Sequence, residues 1–348
     1  STGVNMGRQG SLAYWLLFML SLVTGNLDKT GGNIYSRGFY PAAKAGRAGN
    51  EITYEESPLG EFRRIRGTLP GNLMADMILG DDNPIKGLIV ISGNPILSMG
   101  SGEKLQRAFE QLEFVLVIDI YPSATSEYAD YLLPATDMYE RPDINICGLG
   151  MQKEPFIQYT DFVVEPRAER KPEWWILRQI EIAQGFDAEI RDLDDYKSAI
   201  EELGLFNRFD HMLRQSGLGI DEVKKAGTVV LKPVTPGNFF TDIIQTESGR
   251  VNCCPPSFRQ ALDRCADIFE ELSREADSQL KMISRRTNYM INSWFHNVSS
   301  LKRPRQLNNP VYLHPEDARA RNLGEGSSVR VKNEFGNITS VEIGRAHV

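Results

Sequence analysis

The stretch that decides the fold runs from 87 to 134. It opens with Gly87-Leu-Ile-Val-Ile-Ser92, a short apolar run bounded by turn residues, and repeats the pattern at Phe114-Val-Leu-Val-Ile-Asp119. Short runs that are apolar throughout are expected of strands buried on both faces. Gly93-Asn94-Pro95 breaks the first run, and Ser101 then caps a helix with Leu105, Phe109 and Leu112 on one face. A polar loop, a short helix around Ser126 to Ala129 and a third strand through Tyr131-Leu132-Leu133 follow the second run. Strand, helix, strand, helix and strand with short links are the pattern of an α/β fold built on a parallel, doubly wound, Rossmann-like sheet.

Upstream, residues 27 to 72 are rich in Gly, Arg and polar side chains without helical or strand period, which predicts a long loop, functional or mobile, followed by a helix over 72–79. The longest apolar run, Leu12 to Val23, has twelve residues, short of the ~20 a membrane span needs. Met6 and Arg8 ahead of it imitate a signal peptide, and Met6-Gly7 to Ser11 a myristoylation signature, but no small-residue cleavage site follows. A buried helix capped by Gly25 fits better.

Downstream, Pro172 opens a helix carrying Trp174, Trp175, Leu177 and Ile180 that ends near Gly185. Asp192 to Gly227 alternates acidic and apolar residues (Tyr196, Ile200, Leu203), as in a solvated helical insertion. Thr228 to Cys254 is extended and turn-rich, and Phe258 to Leu280 carries an amphipathic stripe of Phe258, Leu262, Phe269 and Leu272. A last unit from Met282 holds a strand-like run, a small helix started by Pro315, Gly324 as its cap, and a hairpin. Residues 343–348 (Ile-Gly-Arg-Ala-His-Val) back-translate to a common sequencing-adapter read-through and are left out of the fold.

The chain has 348 residues, enough for about two domains at roughly 150 residues each. Its 46 acidic against 39 basic side chains give a net charge of −7, which argues against a broad nucleic-acid-binding surface but leaves room for a local phosphate site. Cys147, Cys253, Cys254 and Cys265 form no CxxC pair, so neither a disulfide scaffold nor a zinc or iron–sulfur site is built from them alone.

Ligands of open α/β sheets sit at the carboxyl ends of the strands. Two loops lie there, Ser92 to Pro95 and Asp119 to Ser123. Gly93 lets backbone approach a phosphate or ring, Asn94 offers donor and acceptor, and Asp119 can accept paired N–H donors from a ribose or a guanine edge. On local pattern alone the plainer reading stands, with Gly93 a turn residue and Asp119 a helix cap. Near the other end, Arg285-Arg286 precedes Asn288, Asn292, Ser293, His296 and Asn297 around Trp294 and Phe295. That density of hydrogen-bonding groups suits a large phosphorylated ligand, or equally a surface strand with a solvated basic start. His314, beside Pro315, reads as structural. No Ser-His-Asp set, P-loop or HExxH appears, and Glu140 and Asp143 do not separate from surface charges.

Taken together, these pieces resemble the molybdopterin oxidoreductase family of the dimethyl sulfoxide reductase and formate dehydrogenase type. The resemblance rests on Thr2-Gly3-Val4-Asn5 with Val23-Thr24-Gly25-Asn26-Leu27, on Ile91-Ser-Gly-Asn-Pro95, on Val117-Ile-Asp119, and on Ala129 to Ala135 (ADYLLPA). Thr246-Glu-Ser-Gly-Arg250 and Asn309-Pro310 through His314-Pro-Glu-Asp-Ala318 to Val331 continue it in order along nearly the whole chain. It implies a molybdenum or tungsten bis-molybdopterin guanine dinucleotide cofactor. Asp119 and Ser123 would contact a guanosine, with Gly93, Asn94 and Pro95 beside it. Gly3 would line the cofactor, and Arg286, Asn292, Ser293, His296 and Asn297 would cover a pterin and its pyrophosphate.

The implied division is a preceding cofactor-binding domain and loop over 1–85, a nucleotide-binding unit over 86–190, a helical insertion and connecting hairpin over 191–281, and a truncated double-psi β-barrel over 282–342. A 4Fe-4S cluster motif and the metal-ligating residue are expected upstream of Ser1, as in a fragment of a longer catalytic subunit. The resemblance further implies two-electron chemistry on a small-molecule substrate, an iron–sulfur electron-transfer partner, no nucleic acid and no membrane span. Departures exist: Arg141-Pro-Asp-Ile-Asn-Ile-Cys147 differs from the common pattern after Glu140, and Met290 stands where relatives carry histidine. A non-redox hydratase and a non-catalytic respiratory-complex scaffold are the alternatives on this fold. Arg286→Ala in the full-length protein is expected to cut bound cofactor sharply by metal and pterin analysis; unchanged loading would contradict its assignment.

Overall fold

The computed structural model describes residues 2–341 except 37, 40–53, 58, 64–68, 82–83, 147–151, 153, 186–204, 245, 277, 285–286, 288, 305–306, 308 and 335. Arg286, Cys147 and the adapter-like residues 343–348 thus lie outside the described residues. Two compact units are interleaved along the sequence. One combines Ser1–Glu51, Thr136–Arg167 and Trp174–Ile283; the other combines Ile52–Ala135, Ala168–Glu173 and Ser284–Val348.

The second unit begins with an antiparallel hairpin, β1 (Tyr54–Ser57) and β2 (Gly60–Arg63). This corrects the reading of 27–72 as a loop without regular structure. The strands are rich in charged residues and so lack the apolar alternation that marks a half-buried strand, while Gly60 supplies the turn at φ +114°.

The apolar runs then form β3 (Gly87–Ile91), β4 (Phe114–Asp119) and β5 (Tyr131–Pro134), a parallel sheet in the order β3-β4-β5. Val90 pairs with Val117, so the two share a face. On that face Val90, Val115 and Val117 bury against Ala75 and Ile78 of the Met74–Leu79 helix and Leu105, Ala108 and Phe109 of the Gly102–Gln111 helix. Fully burying one such side chain stabilises by roughly 1.5–3 kcal/mol.

Central β4 is buried on both faces, as its sequence predicts. Edge strand β3 is not: Ile89 and Ile91 stay 47% and 43% exposed. An apolar run encodes burial of its strand but not its place in the sheet, and among the described residues β3 is paired on one side only. The Gly102–Gln111 helix starts after Ser101, but that residue adopts φ +61° and its hydroxyl makes no cap bond, contrary to expectation. A capping side chain needs the extended backbone that Ser101 lacks.

In the first unit, the Gly10–Val23 helix ends as predicted at Gly25. Gly25 lies at φ +65°, its N–H reaches Leu22 O at 3.0 Å, and Asn26 N–H reaches Ser21 O at 2.8 Å. These are the paired bonds of a glycine-terminated helix. The expected burial fails: Leu16, Leu17, Leu20 and Val23 are exposed, and only Gly10, Leu12 and Ser21 are buried. Apolar residues all around a helix give no stripe to direct packing. Among the described residues, no helix is long and apolar enough to cross a membrane.

Part of the long loop after this helix is pinned: Asp28, buried at φ +56°, accepts N–H bonds from Gly237 (2.8 Å) and Phe239 (2.6 Å). An antiparallel sheet, β6 (Asp143–Ile144), β7 (Phe156–Thr160) and β8 (Thr228–Val230), carries this unit's core. Ile144 and Ile157 pack with Phe39 and with Phe209, Leu213, Ile220 and Val223 of the helices Leu205–Leu213 and Ile220–Ala226. The described part of the supposed solvated insertion therefore builds core; the acidic residues between its apolar positions face water and disguised that role. Tyr196, Ile200 and Leu203 lie outside the described residues. The Phe258–Leu280 stripe is less buried than expected, with Phe269 and Leu272 exposed and Phe258 stacked on Trp15 at 4.8 Å.

The chain closes with a Pro315–Ala320 helix and the hairpin β9 (Ser328–Asn333) and β10 (Gly336–Val341). His314 is structural here, its Nδ1 accepting the Glu316 N–H at 3.3 Å. Asn322 at φ +55°, not Gly324, terminates the helix, with Leu323 N–H bonded to Ala318 O at 2.9 Å. Asn tolerates the left-handed conformation well enough to replace glycine. The described fold is thus mixed α/β, one parallel sheet with three antiparallel ones. Leu105→Ala is expected to destabilise this unit by about 2–5 kcal/mol in urea unfolding, against about 0.5 kcal/mol for Ile89→Ala on the exposed edge strand. Equal losses would contradict the assigned packing.

Candidate functional site

Parallel pairing brings the carboxyl ends of β3, β4 and β5 to one edge, and the predicted loops leave from that edge. The first turns at Ser92, not Gly93: Ser92 lies at φ +51°, donates its N–H to Ile118 O (2.9 Å) and its hydroxyl to Glu173 Oε1 (3.1 Å). Gly93 has no left-handed φ, and a Cβ there would meet only Val90 Cγ1 at 3.6 Å and comparably distant neighbours. These are ordinary contacts, so a side chain there would fit without forcing a neighbour aside, and Gly93 is half-buried.

Asn94 is buried, and its Oδ1 accepts the Thr125 hydroxyl at 2.8 Å and the Thr125 N–H at 3.3 Å. Thr125, fully buried, also accepts the Ile96 N–H at 3.3 Å. Pro95 is buried at the head of the short Pro95–Ser98 helix. Asn94 and the Ile96 N–H therefore lock the first loop to the second.

At the end of β4, Asp119 is half-buried and its Oδ1 accepts the Ile120 N–H at 2.7 Å. Burial pushes its carboxyl above the usual aspartate range and the nearby Glu173 carboxylate adds to this, while the Ile120 and Tyr121 N–H groups oppose it. Asp119 thus caps its own loop rather than a helix. Ser123 and Ser126 cap one another: Ser126 Oγ accepts the Ser123 N–H and donates to Ser123 O, both at 2.8 Å.

The segment 289–297 is a succession of turns, not the strand that was the alternative reading. Ile291 and Asn292 take left-handed φ values of +40° and +57°, which a strand forbids. Trp294 N–H reaches Ile291 O and Phe295 N–H reaches Met290 O, each at 3.1 Å. This loop meets the second one directly, Asn297 Nδ2 donating to Pro122 O at 2.7 Å. Ser293 is half-buried on it, while Asn292, His296 and Asn297 are exposed, with Lys302 Nζ bonded to His296 O.

The structure therefore brings Gly93, Asn94, Pro95, Asp119, Ser123 and the 292–297 loop into one unit, whereas exposed Gly3 belongs to the other unit. Ser92, Thr125 and Glu173 escaped the sequence reading. A serine ending an apolar strand was a usable signal; the approach of Glu173 to Asp119 had none. Among the described residues, no group of three or more His, Cys, Asp or Glu side chains is placed to hold a metal ion.

Comparison with known proteins agrees with this arrangement of elements. Residues 1–182 match the family model for molybdopterin oxidoreductase, and residues 280–345 match that for the molybdopterin dinucleotide binding domain. With over half of its length matched, the chain belongs to the molybdopterin oxidoreductase family. It is 24% identical over 390 residues to trimethylamine-N-oxide reductase of Haemophilus influenzae, covering 97% of this chain and 46% of that protein. It is 25% identical over 421 residues to dimethyl sulfoxide/trimethylamine N-oxide reductase of Rhodobacter capsulatus, covering 99% and 47%. The solved acetylene hydratase of Pelobacter acetylenicus superposes with a TM-score of 0.51 at 19% identity over 78% of this chain and 37% of that one, a likeness of fold alone. The chain spans a little under half the length of the two reductases.

The raised Asp119 carboxyl has a consequence for stability. Because the folded state holds that proton more tightly, the ligand-free protein loses stability as pH rises from the ordinary aspartate value of 3.8 toward the raised one. Asp119→Asn keeps an oxygen for the loop N–H groups and deletes the charge. The variant is expected to gain stability over the wild type at neutral pH, the gain vanishing in acid below 3.8. A gain confined to acid, read from urea midpoints across pH, would contradict the burial argument.

Proposed function

We propose that the chain is the cofactor-binding part of a molybdenum or tungsten oxidoreductase carrying bis-molybdopterin guanine dinucleotide and performing two-electron redox chemistry on a small substrate. The family membership and the two reductase relatives support a redox reading. The observation that carries the reading to residues is the 2.7 Å bond from Asn297 to Pro122, which joins the predicted pterin loop to the predicted guanosine loop.

The donor set fits the cofactor. A guanine edge presents N–H donors and needs a carboxylate or amide acceptor, and Asp119 offers a half-buried carboxylate at the sheet's carboxyl end. In this reading Ser123 and the backbone at Gly93 receive the nucleoside beside Pro95, while Asn94 holds the two loops in register. Arg286 pairs with pyrophosphate, and Asn292, Ser293, His296 and Asn297 supply neutral donors and acceptors over a pterin. When bound, the group supplies a metal that cycles between oxidation states.

The same reading takes the sheet as part of a doubly wound domain over 86–190 and the closing hairpin as part of a double-psi barrel over 282–342. A 4Fe-4S cluster and an iron–sulfur partner subunit would carry electrons. Asp119→Ala in the full-length protein is expected to lower guanine released by acid hydrolysis and bound metal together, by tenfold or more. Wild-type protein free of molybdenum, tungsten and pterin would overturn the reading in favour of a scaffold subunit.

A further inference from the structure

A cleft of about 260 Å³ opens in the first unit, lined by residues from the segment 35–38, from the start of β7 and from the chain between 231 and 243. That volume lies below the range of drug-sized pockets and suits a molecule of amino-acid size. Its frame is held by the buried Asp28 carboxylate, which accepts the Gly237 and Phe239 N–H groups at 2.8 and 2.6 Å. Leu231 N–H bonds to Pro155 O at 2.8 Å and carries the β7–β8 pairing one residue further. Tyr35 meets the buried Phe239 edge-on, with ring centres 5.9 Å apart. Phe239–Ile243 forms a single turn of π-helix, in which Ile244 N–H reaches Phe239 O at 2.9 Å. Such turns are rare, and they occur frequently at functional sites.

The lining carries charge of both signs. Lys232 and Asp242 both line the cleft, and among the described residues neither side chain has an ion-pair or hydrogen-bond partner. Leu231, Val234 and Ile243, each half-buried, add apolar surface, and Asn238 adds an amide. An ammonium and a carboxylate on one small cleft, not paired with each other, are complementary to a molecule that carries both charges itself. We propose that this cleft binds a small zwitterion with an aliphatic body, an α-amino acid such as leucine, its carboxylate on Lys232 and its ammonium on Asp242. The apolar side chains take the aliphatic part, and the π-turn braced by Asp28 holds Asn238 and Asp242 in place for it. The site lies wholly in the first unit and stands independently of the nucleotide reading. Both charged side chains are exposed, so each charge contact is worth about fivefold in affinity and not more.

The test is calorimetric titration of L-leucine into the full-length protein, beside leucinamide, which lacks the carboxylate, and isocaproate, which lacks the ammonium. Wild type is expected to bind leucine saturably at a single site and to bind each one-charge analogue about fivefold more weakly. Lys232→Met should weaken leucine about fivefold and abolish its advantage over leucinamide, while its advantage over isocaproate remains. Asp242→Asn should do the converse, abolishing only the advantage over isocaproate. Misfolding would not produce such an exchange of preferences, and an unchanged urea midpoint checks that each variant folds. Absence of saturable leucine binding to the wild type, binding of either analogue as tight as that of leucine, or variants that keep both preferences would overturn the proposal.

Discussion

In-register parallel pairing of three strands is the constraint on which the rest of the second unit depends. Because Ile91 pairs with Ile118 and Asp119 with Pro134, all three strands stop at nearly one level. Every connection that follows a strand then starts from the same edge. Loops separated by tens of residues thereby become neighbours, and bonds such as Asn94 to Thr125 then join them. The apolar face that fixes this register is packed by Val90, Val115 and Val117 against two helices, and a slip of one residue would turn those valines out of the core. Hydrophobic packing on one face thereby sets the placement of polar chemistry at the end.

The polar groups at that edge are largely occupied with one another. Asn94 holds Thr125, Ser123 and Ser126 hold each other, and Asn297 holds Pro122. Such a network leaves little to rearrange when a ligand arrives, which is what a precise binding site needs. It also carries costs. Asp119 keeps a charge in a half-buried place beside Glu173, and Ser92, Ile291 and Asn292 sit in left-handed backbone conformations. Unfavourable backbone at residues other than glycine can mark working sites; these three lie in the candidate-site loops, and Ser101, Ala168 and Asn322 share the conformation elsewhere in the same unit.

Much of this fold was legible in the sequence because its signals are local. Two apolar runs, a proline at a helix start and a glycine after a helix end each announce themselves within a few residues, and β3, β4, β5 and the Gly25 terminus appear where expected. The errors share a cause, since each depended on a neighbour distant in sequence. Exposure of Ile89 follows from an edge position, exposure of Leu16 and Leu20 from missing cover, and burial of Phe209 and Val223 from a sheet built partly at 143–160. The candidate site divides the same way. Loop positions followed from the strand ends, but the occupation of Asn94 by Thr125 and of the Ser92 hydroxyl by Glu173 are properties of the folded chain. The family's composite motif adds what no single turn could, because several weak signals in a fixed order identify an architecture.

The central claim is that loops ending β3 and β4 and the 289–297 turns form one wall of a guanosine and pterin site. A cryo-EM structure of the full-length, cofactor-loaded protein tests this most directly. The account predicts a guanine edge within hydrogen-bonding distance of the Asp119 carboxylate, with the 289–297 turns against the same cofactor. A guanosine seated elsewhere, with Asp119 and Asn297 both facing solvent away from it, would contradict the account.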